Sequence, residues 1–120
     1  MGNAETVVGL GIDICSWDRV PDFDESHPFY RIFPKREIDA CLARSNPRAR
    51  FASRFAAREA LVKALGGIAE WMKEIEVVND GDGSPRFDGP TPDHLNILLS
   101  ISSERGFSIA CVVVSRNEVR

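Results

Sequence analysis

The order of apolar patterns along the chain predicts an α+β fold, a mainly antiparallel sheet packed against a long central helix and shorter helices. Three observations predict it. An apolar run rich in β-branched residues opens the chain at 6–14 (TVVGLGIDI). An alanine-dense helix former fills the middle at 51–65 (FASRFAAREALVKAL), and two further β-rich runs, 96–102 (NILLSIS) and 108–115 (SIACVVVS), come late. Helical patterns before hairpin patterns, rather than alternating with them, separate this class from a parallel α/β fold.

Each element follows from its residues. The run at 6–14 reads as a buried strand ending near Asp13. Residues 16–34 offer only short helical turns and loop. Pro34 suits a first helical position, and Ile38, Cys41 and Leu42 give a short amphipathic helix after it. For the central helix, Ser45 or Asn46 can cap the start, Pro47 fits the first turn, and Gly66-Gly67 ends it. Residues 73–78 (KEIEVV) alternate like a strand. Asn79-Asp80-Gly81-Asp82-Gly83 reads as a turn, because Gly and Asx residues accept positive φ. Ser103-Glu104-Arg105-Gly106 connects the last two strands as a hairpin. No internal repeat or low-complexity linker divides the chain, so residues 1–120 are read as a single domain.

Composition narrows the function classes. A hydrophobic fraction of 43% and a charged fraction of 28% belong to a globular protein. A net charge of −3 and a pI near 5.4 argue against a broad nucleic-acid surface, although not against a local basic patch. No apolar run approaches the roughly 18 residues of a spanning helix, so no membrane role is expected. Cys15, Cys41 and Cys111 show no zinc or disulfide spacing, and the N-terminus lacks a secretory pattern. Reduced thiols in a cytoplasmic protein are the expectation.

The central helix carries the chemistry. On a helical wheel Phe51, Phe55, Val62 and Leu65 share one apolar sector, while Glu59 and Lys63 lie well round from it beside Ala52 and Ala56. Ala57, Ala60 and Ala64 fill most of the far side. A face meant for water is filled with longer polar residues, and alanine lets another backbone approach closely. Glu59 and Lys63 are thus expected in a crowded, partly desolvated cleft. The plainer reading is a surface i,i+4 ion pair contributing about 0.3–0.5 kcal/mol. A second acidic group, Asp13, stands at the end of the first strand, where a buried unpaired carboxylate is costly. It either caps a turn or converges with Glu59 on a hard divalent cation. Magnesium suits one or two carboxylates plus phosphate oxygens, with Lys63 as a point charge for the phosphates.

Three stretches, GLGIDICSWDRV (9–20), FASRFAAREALVKALGGI (51–68) and LLSISSERGFSIACVVV (98–114), resemble the holo-acyl-carrier-protein synthase family of 4′-phosphopantetheinyl transferases. The resemblance runs in order over almost the whole chain. It implies transfer of the 4′-phosphopantetheine arm of coenzyme A to a serine of an apo acyl carrier protein, releasing adenosine 3′,5′-bisphosphate. It implies Mg2+ held by Asp13 and Glu59, and catalytic roles for Glu59, Lys63 and Asp13, with Glu59 as base through a water on the metal. Coenzyme contacts are implied for Arg54, Lys63, Gly66, Gly67 and Pro85. Carrier proteins present an acidic helix beside the modified serine, so Arg19 and Arg31 are the docking residues expected. A homotrimer with its site between neighbouring subunits is implied as well.

The sequence departs from the family pattern in three places. The SxSH motif reads Ser100-Ile101-Ser102-Ser103, so Ser103 replaces a histidine; it can donate to a phosphate but cannot carry charge. The glycine turn is shortened to Gly66-Gly67-Ile68, and a GKP turn has become Gly83-Ser84-Pro85, losing a cation. Cys111 stands where a glutamine that knits the trimer is often found. The alternative to an active transferase is a weak or inactive homologue that binds coenzyme A or a carrier protein.

Overall fold

The computed structural model describes residues 3–119 of the 120-residue chain. Strand β1 (Asn3–Ser16) leads into a 3-10 turn, Trp17–Arg19, and helices α1 (Pro28–Arg31), α2 (Lys35–Leu42) and α3 (Pro47–Leu65) follow. A second 3-10 turn, Glu70–Glu74, precedes β2 (Glu76–Asn79), β3 (Pro85–Asp88), β4 (Leu95–Glu104) and β5 (Phe107–Val119). Strands β1, β5 and β4 form an antiparallel sheet in that order, and β2 and β3 form a separate antiparallel ribbon beside β4.

Local chemistry sets the ends of these elements. Asn46 is the cap of α3: its Oδ1 accepts from Ala49 N at 3.3 Å, and Pro47 opens the helix. Gly66 closes it at φ 76°, a left-handed conformation that glycine adopts without a Cβ penalty. The β4–β5 hairpin turns on Arg105 and Gly106, both at positive φ (52° and 88°), which matches the right-handed twist of the flanking strands.

Strand pairing then sorts the side chains, because directly opposed residues share a face. Gly11, Val112 and Leu99 form one row on the face under α3; Asp13, Ala110 and Ile101 form the next, followed by Cys15, Ser108 and Ser103. Against these rows α3 presents Ala52, Ala56 and Ala60, all buried. The packing is very close. A Cβ built on Gly11 would stand 1.8 Å from the Ala60 carbonyl oxygen, and one on Gly9 would stand 1.9 Å from that of Ala64.

This corrects the expected core face of α3. Of the Phe51, Phe55, Val62 and Leu65 sector only Phe51 is fully buried, whereas Ala57, Ala60 and Ala64 are deep in the core. Small side chains win because two glycines on β1 draw the helix backbone against the sheet. Three boundaries also differ. Lys73 and Glu74 belong to the 3-10 turn that buries Met72, so β2 starts at Glu76. Strand β3 had no sequence signal, being four residues long and opening on Pro85, a residue tolerated at the first position of an edge strand. Pro34 is the cap of α2 rather than its first residue, and Leu42 points outward while Ile38 and Cys41 are buried. No helix among the described residues is long and apolar enough to cross a membrane.

Candidate active site

Asp13 reaches its position through strand register. Its partner Ala110 is fully buried under α3, so the Asp13 side chain also turns toward the helix, but from β1, the outer strand of the sheet. There Lys63 meets it. The Lys63 ammonium donates to Asp13 Oδ1 at 3.1 Å and to the Ile12 carbonyl at 3.0 Å. The Asp13 side chain is 16% exposed and that of Lys63 is 56% exposed, so the pair is sheltered on one side only.

Glu59 lies one helical turn before Lys63, yet the two do not pair. Lys63 goes to Asp13, and the Glu59 carboxylate takes no ion-pair partner among the described residues. The simple surface pair expected from i,i+4 spacing is therefore not what the fold makes. Glu59 instead borders a largely apolar groove of about 450 Å³ that includes Phe33, Val62, Ile68 and Met72, with Arg31 and Lys73 on its rim.

The donor set can be tested against a divalent cation. Asp13 already holds a cationic group, and Glu59 is uncommitted. Among the described residues no cluster of three or more Asp, Glu, His or Cys could enclose a metal. An ion here would rest on two carboxylates at most and draw its other ligands from substrate and water, the habit of magnesium rather than of zinc or calcium. The donor types suit that group, although the groove that Glu59 lines does not include Asp13.

A second cleft, about 160 Å³, brings together Arg54, Pro85 and Ser103 with Arg50, Ser53 and Asn79. Arg54 donates through Nη2 to Asn79 Oδ1 at 3.1 Å. Its Nε lies 3.6 Å from Glu37 Oε2 and has no hydrogen-bond partner. Glu37, with no exposed side-chain surface, accepts on Oε1 from Arg58 Nη2 at 2.5 Å and on Oε2 from Val77 N at 3.2 Å. Arg58 also donates to the carbonyl of Ile75 at 2.8 Å. One buried carboxylate thus ties α2, α3 and β2 together behind the cleft. Burial pushes the Glu37 carboxyl above its ordinary value, and the Arg58 and Arg54 guanidiniums oppose that push.

Ser103 belongs to a hydroxyl cluster. Its Oγ lies 3.2 Å from Ser53 Oγ and 2.9 Å from Ser108 Oγ, while Ser53 and Ser108 are 2.9 Å apart. Trp17 Nε1 donates into the cluster at Ser108, and Ala49 O accepts from Ser53. The inner protons are engaged, so the exposed Ser103 presents the hydroxyl available to a ligand.

The other residues named from the sequence are scattered. Gly66 and Gly67 are exposed with open space about them and act as the helix terminator. Arg19 is exposed, with its guanidinium 5.9 Å from the centre of the Phe55 ring. Arg31, also exposed, ends α1 at the rim of the Glu59 groove. Cys15 and Cys41 are buried and Cys111 half-buried, all three unpaired. Sequence reasoning missed Glu37, Arg58, Ser53 and Ser108. A signal existed for Glu37, which sits four residues before buried Cys41 and beside buried Ile38, on the inner face of α2. The serine cluster had none, because it is assembled from α3 and two strands.

Comparison with known proteins adds the following. Residues 9–112 match the family profile of the 4′-phosphopantetheinyl transferase superfamily. A holo-(acyl-carrier-protein) synthase of Thermodesulfovibrio yellowstonii is 35% identical over 115 residues, covering 91% of this chain and 99% of that protein. The crystal structure of a holo-(acyl-carrier-protein) synthase from Bacillus anthracis in complex with CoA (3′,5′-ADP) superposes with a TM-score of 0.74 at 34% identity, covering 92% of this chain and 97% of that one. That of Neisseria meningitidis gives 0.77 at 28% identity, covering 91% and 98%.

Proposed function

The chain belongs to the 4′-phosphopantetheinyl transferase superfamily, among its holo-(acyl-carrier-protein) synthases, and we propose on that basis that it moves the phosphopantetheine arm of coenzyme A onto a serine of an apo acyl carrier protein. The hydroxyl oxygen of the carrier serine attacks the phosphorus that bears the pantetheine arm. The bond from that phosphorus to the bridging diphosphate oxygen breaks, adenosine 3′,5′-bisphosphate leaves, and the serine proton is released. The single observation that carries this reading is the Lys63 ammonium held against Asp13, with Glu59 uncommitted one turn away.

Residues 1–120 act as one domain in this reading. Asp13 and Glu59 would hold Mg2+, which supplies positive charge to a diphosphate whose negative charge grows as the bond breaks. Lys63 supplies a second positive charge there. Glu59 accepts the serine proton on its carboxylate, directly or through an intervening water. The carrier brings the nucleophile, so the chain needs none, in keeping with buried Cys15 and Cys41. Arg54, Pro85 and Ser103 contact the coenzyme beyond its diphosphate, and Gly66 and Gly67 line its path. Arg31, at the rim of the groove that holds Glu59, and Arg19 meet the acidic helix of the carrier. A cytoplasmic setting keeps the three free thiols reduced.

The site is shared between copies in a homotrimer. Nine residues separate Arg54 from Lys63 on α3, about 180° around the helix axis. In this reading one coenzyme meets the two sets of residues across neighbouring copies.

Mass spectrometry of apo carrier proteins incubated with the protein, coenzyme A and Mg2+ tests the reading. Glu59→Gln should lower transfer by at least about 100-fold with folding unchanged, the scale of a lost proton acceptor. Full activity in that variant would remove Glu59 from its role. A second reading, coenzyme binding without transfer, is favoured by the neutral Ser103 cluster. Tight coenzyme binding with no mass gain on any carrier would select it.

A further inference from the structure

We propose that Arg50, which no motif of the sequence assigns, is a second cation of the cleft shared by Arg54, Pro85 and Ser103, and that it reads the phosphate monoester of the coenzyme rather than its diphosphate. The proposal rests on the coenzyme A reading above and adds to it the residue that discriminates one phosphate from another.

Three observations support it. First, Arg50 and Arg54 are four residues apart on α3, so they lie on one face of the helix, and both border the cleft. Second, the charges there do not balance. Glu37 is shared by Arg54 and Arg58, its closest contact, at 2.5 Å, going to Arg58. Arg54 is otherwise held by the neutral amide of Asn79. Arg50 enters none of the ion pairs formed among the described residues. Two like charges one turn apart repel unless an anion joins them. Third, the exposed Ser103 presents at the cleft a hydroxyl that can donate to a phosphate oxygen, and among the described residues no carboxylate borders it.

Coenzyme chemistry then selects the ligand. The molecule carries two anionic centres, a diphosphate and a monoester on its ribose. The diphosphate contains the bond that breaks, so it must lie with Lys63, Asp13 and Glu59. The monoester is left for the arginine cleft, and its charge of about −1.5 to −2 at neutral pH matches two guanidiniums. Arginine also offers the forked donor geometry that phosphate accepts in two bonds. Ser84 stands where the resemblance expects a lysine, and Arg50 supplies a positive charge to the cleft that the neighbouring Gly83 and Pro85 border.

Titration calorimetry with coenzyme A and with 3′-dephospho-coenzyme A tests the assignment without relying on turnover. The wild-type protein should bind coenzyme A at least about tenfold more tightly than the dephospho form, the size of one charge-assisted hydrogen bond. Arg50→Gln should lose most of that preference while its affinity for 3′-dephospho-coenzyme A stays the same. Arg50→Lys should keep part of the preference, and it serves as the test should the glutamine variant fail to fold. Equal weakening toward both ligands, or none, would overturn the assignment while leaving the transferase reading intact. So would a wild-type protein that binds both ligands equally. Absence of binding to either ligand would overturn the coenzyme reading and this assignment together.

Discussion

Cys41 shows how one buried side chain senses the charge cluster behind the arginine cleft. Burial pushes its thiol from an ordinary value of 9.0 up to about 11, while Arg54 and Arg50 pull it down and Glu37 pushes it further up. In the unfolded chain the thiol loses its proton near 9.0, whereas in the folded chain it keeps it up to about 11. The folded state thus binds more protons across that window, and stability falls as pH rises through it. Two pH units correspond to about 2.7 kcal/mol at most. Urea unfolding at pH 8 and pH 10.5 should show this loss in the wild type, with a shallower slope in Cys41→Ala. Equal slopes would mean that Cys41 ionises alike in both states.

At the scale of elements, the contact between α3 and β1 governs both the core and the site. Gly9 and Gly11 let the helix backbone lie against the strand, and the same approach brings Lys63 within reach of Asp13. A methyl group at Gly11 would fall 1.8 Å from a backbone oxygen, which cannot rotate away as a side chain would. Gly11→Ala should therefore lift α3 from the sheet, with a loss of about 3 kcal/mol or more in urea unfolding. Transfer activity should fall too, because the Asp13–Lys63 contact is made across that seam. A variant as stable and active as the wild type would show that the seam opens freely.

At the scale of the whole molecule, the sheet face opposite α3 stands uncovered in the single chain. Leu10, Val113 and Leu98 form one row across it, Ile12, Cys111 and Ser100 a second, and Ile14, Ile109 and Ser102 a third. Leu10 is 67% exposed and Ile12 is 60% exposed, unusual for adjacent large apolar side chains on one face. The proposed trimer would cover this face, with Cys111 at its centre between Ile12 and Ser100. Ile12→Glu should then yield a folded monomer in light scattering, with transfer reduced by at least about tenfold, because each site would lose the copy that completes it. A variant that assembles like the wild type would place the contact elsewhere.

How much of this was legible in the sequence varies residue by residue. The order of elements, the cap at Asn46, the stop at Gly66 and the β4–β5 hairpin all follow from local chemistry, which acts over a few residues and leaves a readable pattern. The resemblance to the transferase family rested on short motifs of the same local kind. Partner choice left no such pattern. Lys63 turns from Glu59 to Asp13, Glu37 joins two arginines on another helix, and the alanine face of α3 rather than its aromatic sector enters the core. Each outcome depends on which groups the packed chain brings within a few ångströms of one another. Coulomb and van der Waals energies fall off over that distance, and separation along the sequence does not measure it.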